Sequence, residues 1–233
     1  MEKVIVTLRS ETADDEWVDR LCGPVATALV ELGVPGLTIN VRDAPVRDSL
    51  MTLTTLDPPV QALVSVWVQQ HYGEQMRRVM AALESEADLV AAYLVTESVP
   101  MAAASAELGR RAPGLANIAL LRRPADMDES TWLTRWHRDH TPVAIATQST
   151  FGYVQNYVVR ALTEDAPALS AIVEELFPIE AAKSLHAFFG AADDAELNDR
   201  LGKMVVSTTA FGANVNIDTV PSGRYVFANP FAD

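Results

Sequence analysis

The sequence predicts an α+β fold in which two consecutive β-α-β-β-α-β units pack their antiparallel sheets against each other. Three observations support this prediction. Strand and helix patterns alternate in the same order twice along the 233 residues, and short runs of the first half recur in the second. Each unit also supplies helices for only one face of its sheet, so the other face must be buried against a second layer.

The first unit is assigned to residues 1–100. Strand patterns rich in β-branched and aromatic residues fall at 3–8, 36–42, 61–71 and 88–97. A helix is predicted over 14–32 because Asp14 and Asp15 can cap its start, apolar residues recur at helical spacing and Gly33 ends it. A second helix is predicted over about 74–85. This order is that of a ferredoxin-like domain.

The second unit is assigned to residues 115–233. Its strands are predicted near 115–122, 151–162, 169–177 and 213–220, with helices from Asp128 to about Thr147 and from Ile179 onward. Residues 99–114 join the units and are predicted to contain one or two helical turns, since the segment is bounded by prolines and has an alanine-rich middle.

The two units share residues as well as pattern. Arg20–Ala28 aligns with Arg138–Ala146 through an Arg-x-x-x-Pro-Val-Ala-x-Ala motif, and Gly36–Asn40 aligns with Gly152–Asn156. Two such sheets stacked within one chain would form a barrel with the helices outside, and the space between the sheets is the expected pocket.

Composition restricts the class of partner. The net charge of −13 argues against a nucleic acid or an anionic membrane, and 49% hydrophobic residues are typical of a folded soluble protein. The single cysteine, Cys22, cannot form an intrachain disulfide. The chain begins directly with a strand pattern and has no signal-peptide pattern, so a cytoplasmic location is expected. Because the charge disfavours a nucleic acid or a membrane, the expected partner is a small-molecule ligand.

A motif in the second unit resembles a known family. It comprises Leu121-Arg-Arg-Pro, a helix with Trp136-x-x-x-His140-x-Pro142, and the strand Tyr153-Val-Gln-Asn156. This run resembles the EthD-like family of dimeric α+β barrels. The resemblance implies a tandem, single-chain version of that barrel. Relatives in the wider superfamily include cofactor-free monooxygenases, isomerases and lyases that act on small carbonyl or aromatic compounds, and a non-catalytic accessory protein of a catabolic oxygenase pathway is the competing interpretation.

Candidate catalytic residues lie on this helix and strand. Trp132, Trp136 and His140 are four residues apart and share one face of the helix, so the tryptophans should turn His140 inward. His140 is predicted to be either a general base or a structural histidine bonded to a carbonyl that Pro142 exposes. Tyr153 and Gln155 alternate onto one face of the following strand and could polarise a carbonyl or, alternatively, cross-link the sheet.

Further substrate-binding candidates are Trp136, Asn156 and Glu175. Glu174 and Glu175 must point to opposite faces of their strand, and Glu175 is chosen as the one that faces the site. Its carboxyl would have a raised pKa among apolar residues, unless it pairs with Arg122 or Arg123.

No cofactor is predicted. The chain contains no P-loop and no Gly-x-Gly-x-x-Gly or Gly-x-Ser-x-Gly motif, and His137-x-x-His140 alone does not make a metal site.

Two apolar segments require a cover. Residues 43–59 form a long loop that contains several leucines. Three arrangements would bury these leucines: the loop covers the barrel mouth, packs on its own unit, or contacts a second copy in a homodimer of tandem-repeat chains. The run Tyr225–Phe231 is too aromatic for a free tail and should dock on a surface.

Overall fold

Eight strands form the centre of the molecule in a computed structural model that describes residues 1–231. They are β1 (Glu2–Arg9), β2 (Gly36–Val41), β3 (Val60–Val68), β4 (Leu89–Met101), β5 (Leu115–Leu121), β6 (Gly152–Ala161), β7 (Ala171–Phe177) and β8 (Asp218–Ala228). All eight neighbouring pairs are antiparallel.

The helices lie between these strands. They are α1 (Asp15–Arg20), α2 (Ala26–Glu31), α3 (Glu74–Glu84), α4 (Glu129–Thr134), α5 (Thr141–Thr147), α6 (Leu185–Phe189) and α7 (Asp194–Ala210), with a short 3₁₀ turn at Ile179–Ala182. Two π-helical segments, Leu21–Val25 and Arg135–His140, connect α1 to α2 and α4 to α5. The predicted helices over 14–32 and 128–147 are therefore each continuous but contain one π turn.

Aspartates and a proline explain these two long helices. The carboxylates of Asp14 and Asp128 accept hydrogen bonds from the backbone N–H groups of Trp17 and Thr131, as N-caps do. Pro24 lies within the first π segment, and Pro142 directly follows the second one. A proline cannot donate to the preceding turn, and local widening into a π turn accommodates that lost bond.

The strands close into a barrel in the order β1-β3-β2-β8-β5-β7-β6-β4. Within each half of the chain the four strands pair in the order fourth, first, third, second. The halves are joined at two seams, where β2 pairs with β8 and β4 pairs with β6. The sheets therefore form one antiparallel barrel.

Strand alternation divides the apolar residues into separate cores. In β1, Val4, Val6 and Leu8 pack against α1 to α3, whereas Ile5 points into the barrel. The barrel interior is filled near one end by aliphatic residues from seven strands, including Leu63, Ile118 and Ile172. In the second half, a third core lies between the outer face of the sheet and α4, α5 and α7.

Three sequence boundaries need correction. The last strand, predicted at 213–220, runs from Asp218 to Ala228, because α7 extends to Ala210. Most of the aromatic run at 225–231 therefore belongs to β8, where Tyr225 pairs with Ile39 across a seam. The connector at 99–114 contains no helix, since β4 continues to Met101 and pairs with Tyr153. The helix predicted from Ile179 onward is divided into the 3₁₀ turn, the short α6 and the 17-residue α7.

The loop at 43–59 packs on the chain itself. Leu53 forms a bridge with Thr219, and Asp218 accepts hydrogen bonds from the backbone N–H groups of Thr55 and Leu56. The loop thus lies at one end of the barrel, where Leu56 packs against the residues that fill the interior. Leu50 and Leu53 remain exposed. Among residues 1–231, no helix is long and apolar enough to cross a bilayer.

Candidate functional site

A row of polar side chains crosses three strands on the outer face of the second-half sheet. Glu175 on β7 is paired with Asn117 on β5 and with Tyr153 on β6. All three are buried, because α4, the π segment and α5 cover this face. We call the helix–sheet cluster the residues Asn117, Trp136, Tyr153, Gln155 and Glu175, together with His140 at the end of the covering π segment.

The π segment presents Trp136 and His140 to this face. The Trp136 side chain has no exposed surface and lies 5.1 Å from the Trp132 ring, which anchors the helix by donating its indole N–H to the carbonyl of Phe211 at 3.1 Å. The Thr141 hydroxyl donates to the Trp136 carbonyl at 2.9 Å and accepts from Gln155 Nε2 at 2.7 Å. Gln155 therefore fixes the helix to the strand. π turns recur at functional sites because they displace side chains from the helical register.

Glu175 is an uncharged acid near neutral pH. Desolvation by burial raises the pKa of its carboxyl from 4.5 to about 8. When the side-chain amide of Gln148 is oriented with its nitrogen toward Glu175, that nitrogen donates to Glu175 Oε1 at 2.9 Å. The predicted ion pairs are not formed: Arg122 pairs with Asp218 at 2.8 Å, and Arg123 donates to the carbonyl of Met127. The expectation of a raised pKa thus agrees with the structure.

The neighbouring titratable groups are also shifted toward their neutral forms. Burial raises the pKa of the Tyr153 phenol, the Glu175 charge raises it further, and the side chains of Trp136 and Thr141 beside the phenol act in the opposite direction. Burial lowers the pKa of His140 from 6.5 to about 4, so its imidazole is neutral near neutral pH.

His140 is held from the side of α7. Its Nδ1 lies 2.9 Å from the Ser207 hydroxyl, and its ring centroid lies 4.7 Å from that of Phe211. The alternative that His140 bonds a carbonyl exposed by Pro142 is not what the structure shows. A hydroxyl partner fixes the orientation of the imidazole and lets the ring act as either donor or acceptor.

Two buried polar atoms of the cluster are unsatisfied. The indole N–H of Trp136 and the side-chain oxygen of Asn117 have no hydrogen-bond partner within residues 1–231. Such groups are rare in native proteins because each costs about 1–3 kcal/mol when left unpaired. One free donor and one free acceptor thus lie beside a neutral acid and a phenol.

The sequence predicted most of this cluster. Trp136, Tyr153, Gln155 and Glu175 lie on the face of the sheet that the helices cover, whereas the printed contacts of His140 are with Ser207 and Phe211. Asn117 was missed, although its position as the one polar residue of an apolar strand is a usable signal.

Asn156 lies elsewhere, on the opposite face of the sheet. Its amide nitrogen donates to Glu174 Oε1 at 3.1 Å inside the barrel. Glu174 also accepts hydrogen bonds from Lys3 at 3.1 Å and from Asn40 at 3.2 Å. Desolvation raises the pKa of its carboxyl, but the charges of Lys3 and Arg224 and the hydrogen bonds from Lys3 and Asn156 outweigh this and hold the pKa down to about 2.

A cavity of about 660 Å³ opens at this end of the barrel. Glu174 lines it and Glu175 does not, so the strand carries one carboxylate on each face. The helix–sheet cluster faces away from this cavity. The connector at 102–106 and Phe231 also line the cavity.

The first half carries apolar residues at the matching positions. Val66 is paired with Val4 and Leu37 in the same register in which Glu175 is paired with Asn117 and Tyr153. All three are buried in the core below α1 to α3. Cys22, which aligns with His140, has a thiol pKa raised to about 12, chiefly by burial. The first half therefore lacks the cluster's donors and proton carriers.

Comparison with known proteins concerns the whole barrel. The sequence matches no protein-family profile and no curated protein. The structure is similar to the crystal structure of an anthrone oxidase-like protein, with a TM-score of 0.55 and 10% identity over 99% of this chain and 95% of that one. The chain and that protein share a fold, which in this chain is a closed eight-stranded antiparallel barrel with helices outside it. At this identity the likeness concerns the fold and not the activity.

Two further α+β barrels align less closely. They are proteins provisionally described as monooxygenases, from Lactobacillus acidophilus NCFM and Fusobacterium nucleatum subsp. nucleatum. Their TM-scores are 0.48 and 0.47, with 9% and 7% identity. Each alignment covers 97% of this chain, and 96% and 92% of the respective neighbour.

Proposed function

We propose that this chain is a tandem, EthD-like α+β barrel protein that performs cofactor-free acid–base chemistry on a small, largely apolar carbonyl or aromatic compound. Its two ferredoxin-like repeats would span 1–100 and 115–233, and the site would be the helix–sheet cluster of the second repeat. One observation carries the proposal. Glu175 is buried beside Asn117 and Tyr153 and has no cationic partner among residues 1–231, and this burial raises its pKa to about 8.

The proposed reaction begins with proton abstraction. Neutral His140 takes a proton from the carbon next to the substrate carbonyl, so that a C–H bond breaks and an N–H bond forms. The electron pair moves to the carbonyl oxygen, where charge develops. The Tyr153 hydroxyl and the unpaired indole N–H of Trp136 can donate to that oxygen.

Proton return follows from the state of Glu175. Its Oε1 accepts from Gln148, so the protonated Oε2 can donate to the enolate oxygen or carbon. Glu175 then regains its proton from His140 through solvent. An isomerase outcome follows when a different carbon of the enolate receives the proton. A lyase outcome requires that the enolate expel a substituent as its bond breaks, and Glu175 would then protonate this leaving group. A monooxygenase would use molecular oxygen to trap the same enolate, with one oxygen atom kept in the product and the other released as water.

A direct test is solvent-deuterium exchange at the acidic carbon. A set of β-diketones and polyketide-like phenols is incubated in heavy water and followed by NMR, with oxygen uptake measured in parallel. Exchange should fall by at least about 100-fold in His140→Ala, the range found for lost general bases. Tyr153→Phe and Glu175→Gln should reduce it as well, while Cys22→Ala at the matching position of the first half should leave it unchanged.

The results separate two function classes. Exchange or turnover that persists in His140→Ala would refute the proposed base. Binding of these compounds without exchange or oxygen uptake would favour the second candidate, a non-catalytic binding or accessory protein. The observation that favours this candidate is the cavity of about 660 Å³, since its volume lies within the range of about 300–1,000 Å³ typical of ligand pockets.

A further inference from the structure

We propose that the cavity at the barrel mouth is a second ligand site, for a neutral amphipathic molecule whose polar end carries both a hydrogen-bond acceptor and a hydrogen-bond donor. This inference goes beyond the proposed function, because the cavity and the helix–sheet cluster lie on opposite faces of the sheet. Its failure would leave the chemistry assigned to Glu175 untouched.

The floor of the cavity is a charged layer built from strands on all sides of the barrel. We call the barrel-mouth floor the side chains of Lys3, Glu97, Glu174 and Arg224, from β1, β4, β7 and β8. Lys3 Nζ lies 2.6 Å from Glu97 Oε2 and 3.1 Å from Glu174 Oε1, and Arg224 Nη1 lies 3.5 Å from Glu174 Oε2. Two positive and two negative charges meet here, so the floor is neutral overall.

Two members of the floor keep unused hydrogen-bonding capacity. In the part of the chain that the structure describes, the Arg224 side chain makes only its long contact to Glu174, although a guanidinium has five N–H donors. Glu97 Oε2 accepts from Lys3, while Oε1 has no partner among residues 1–231. Both side chains line the cavity, so they offer one donor fork and one acceptor to whatever enters.

The other members are already saturated. Glu174 accepts at both oxygens, from Lys3 and Asn156 at Oε1 and from Asn40 at Oε2. The Lys3 ammonium binds two carboxylates and also lies 4.8 Å from the centre of the Trp67 ring. An entering molecule would therefore be recognised by Arg224 and Glu97, with the deeper pair holding them in place.

The walls of the cavity are apolar. Val99, Met101, Val154 and Leu176 line it from β4, β6 and β7, and the alanine-rich connector and Phe231 lie above. The Phe231 ring packs edge-on against Trp67 at 6.3 Å. A polar floor below apolar walls matches a molecule with one polar end and an apolar body.

The charge balance decides the head group. A carboxylate would place a third negative charge beside Glu97 and Glu174, and an ammonium group would place a third positive charge beside Lys3 and Arg224. The side chains of Glu97 and Arg224 are only 17% and 24% exposed, so either addition is disfavoured beside them. A carboxamide, phenol or hydroxy-carbonyl group can accept from Arg224 and donate to Glu97 without changing the net charge.

Three probes with one apolar body test this assignment. Naphthamide, naphthoate and naphthylmethylammonium differ in head-group charge alone, and their binding to the full chain is measured by calorimetry. We expect naphthamide to bind at least about tenfold more tightly than either ion. Val154→Phe, which narrows the cavity beside Glu174, should weaken binding of all three.

Substitutions in the floor should change the preferred charge. Glu97→Gln makes the floor positive and should shift the preference to naphthoate, whereas Arg224→Met makes it negative and should shift the preference to naphthylmethylammonium. Glu84→Gln and Arg78→Met change the net charge of the chain equally at exposed positions, so they should leave the order of the probes unchanged. Thermal unfolding of each variant confirms that it is folded before binding is compared.

Four outcomes would overturn the proposal. One is the absence of binding by any probe at millimolar concentration. Another is binding that Val154→Phe leaves intact, which would place the probes elsewhere. The third is a head-group preference that stays the same in Glu97→Gln and Arg224→Met. A dimer in solution whose interface covers Val154 and Phe231 would also contradict a ligand site here.

Discussion

Replacing Glu175 by glutamine should stabilise the protein relative to the wild type, and this difference in the free energy of unfolding should grow as the pH rises. The carboxyl has a pKa of about 8 in the folded chain and 4.5 in a solvated one, because burial disfavours its charged form. A group with a raised carboxyl pKa binds its proton more tightly in the folded state. The free energy of unfolding of the wild type therefore decreases between about pH 4.5 and pH 8 through this group, and levels off above that range.

The size of the effect follows from the same shift. Each pKa unit corresponds to about 1.4 kcal/mol, so moving the Glu175 pKa from 4.5 to about 8 amounts to about 5 kcal/mol at and above pH 8. Glutamine has almost the same shape and cannot ionise. The stability difference between Glu175→Gln and the wild type should accordingly grow by about 5 kcal/mol in favour of the variant between pH 4.5 and pH 8.

The assay is urea unfolding of both proteins at a series of pH values. Taking the difference removes the contributions of all other titrating groups, including His140. Glu174→Gln is the matched control on the opposite face of the same strand. In the wild type the pKa of Glu174 is held down to about 2, so the Glu174 carboxylate stabilises the fold above about pH 4.5. This stabilisation is lost as the pH falls toward 2.

The two variants should therefore behave in opposite ways. Glu174→Gln should destabilise the protein at neutral pH by about 3–5 kcal/mol, as expected for a broken buried ion pair. A stability difference for Glu175→Gln that does not change with pH would refute the reasoning, because it would mean that Glu175 is ionised with an ordinary pKa in the folded chain.

Three further predictions follow from burial and pKa. Ile39→Ala should cost about 2–5 kcal/mol in urea unfolding through a cavity, since Ile39 is fully buried in the first-half core, and it should leave ligand binding unchanged. Tyr153→Phe should do the reverse: unfolding should change little while deuterium exchange falls, and a severe loss of stability with unaltered exchange would make Tyr153 a structural residue. His140 has a pKa lowered to about 4, so the wild type should lose stability as the pH falls from about 6.5 to 4. His140→Gln should remove this loss, and unfolding curves with the same acid slope in both proteins would contradict the assignment.

Element order was the part of the fold that the sequence predicted well. Period-two patterns located the first seven strands, because alternation of Val4, Val6 and Leu8 with Ile5 and Thr7 reflects two different buried faces. The last strand was misplaced, because β8 is buried at both faces over its first half and flanked by a long helix, so its own alternation is weak. Its position depends on pairing with β2 and β5, which are distant in sequence.

The helix–sheet cluster was predictable for a similar reason. Four-residue spacing placed Trp132, Trp136 and His140 on one face, and strand alternation placed Tyr153 and Gln155 opposite them. Partners supplied by distant segments could not be predicted.

Two examples illustrate this limit. Ser207 reaches His140 from α7, and Arg224 meets Glu174 only because the barrel closes at β8. Closure of the barrel also determines the surroundings of Glu174. In sequence it is one of two adjacent acids, and in the folded chain it is one of the residues that form the barrel-mouth floor.

The claim that Glu175 is a neutral acid available for proton transfer is tested most directly by infrared spectroscopy. The difference spectrum between the wild type and Glu175→Gln near neutral pH should contain the carbonyl stretch of one protonated carboxylic acid. That band should disappear with a midpoint of about pH 8, the pKa that burial gives this carboxyl. Carboxylate bands near neutral pH, with a midpoint close to 4.5, would contradict the account.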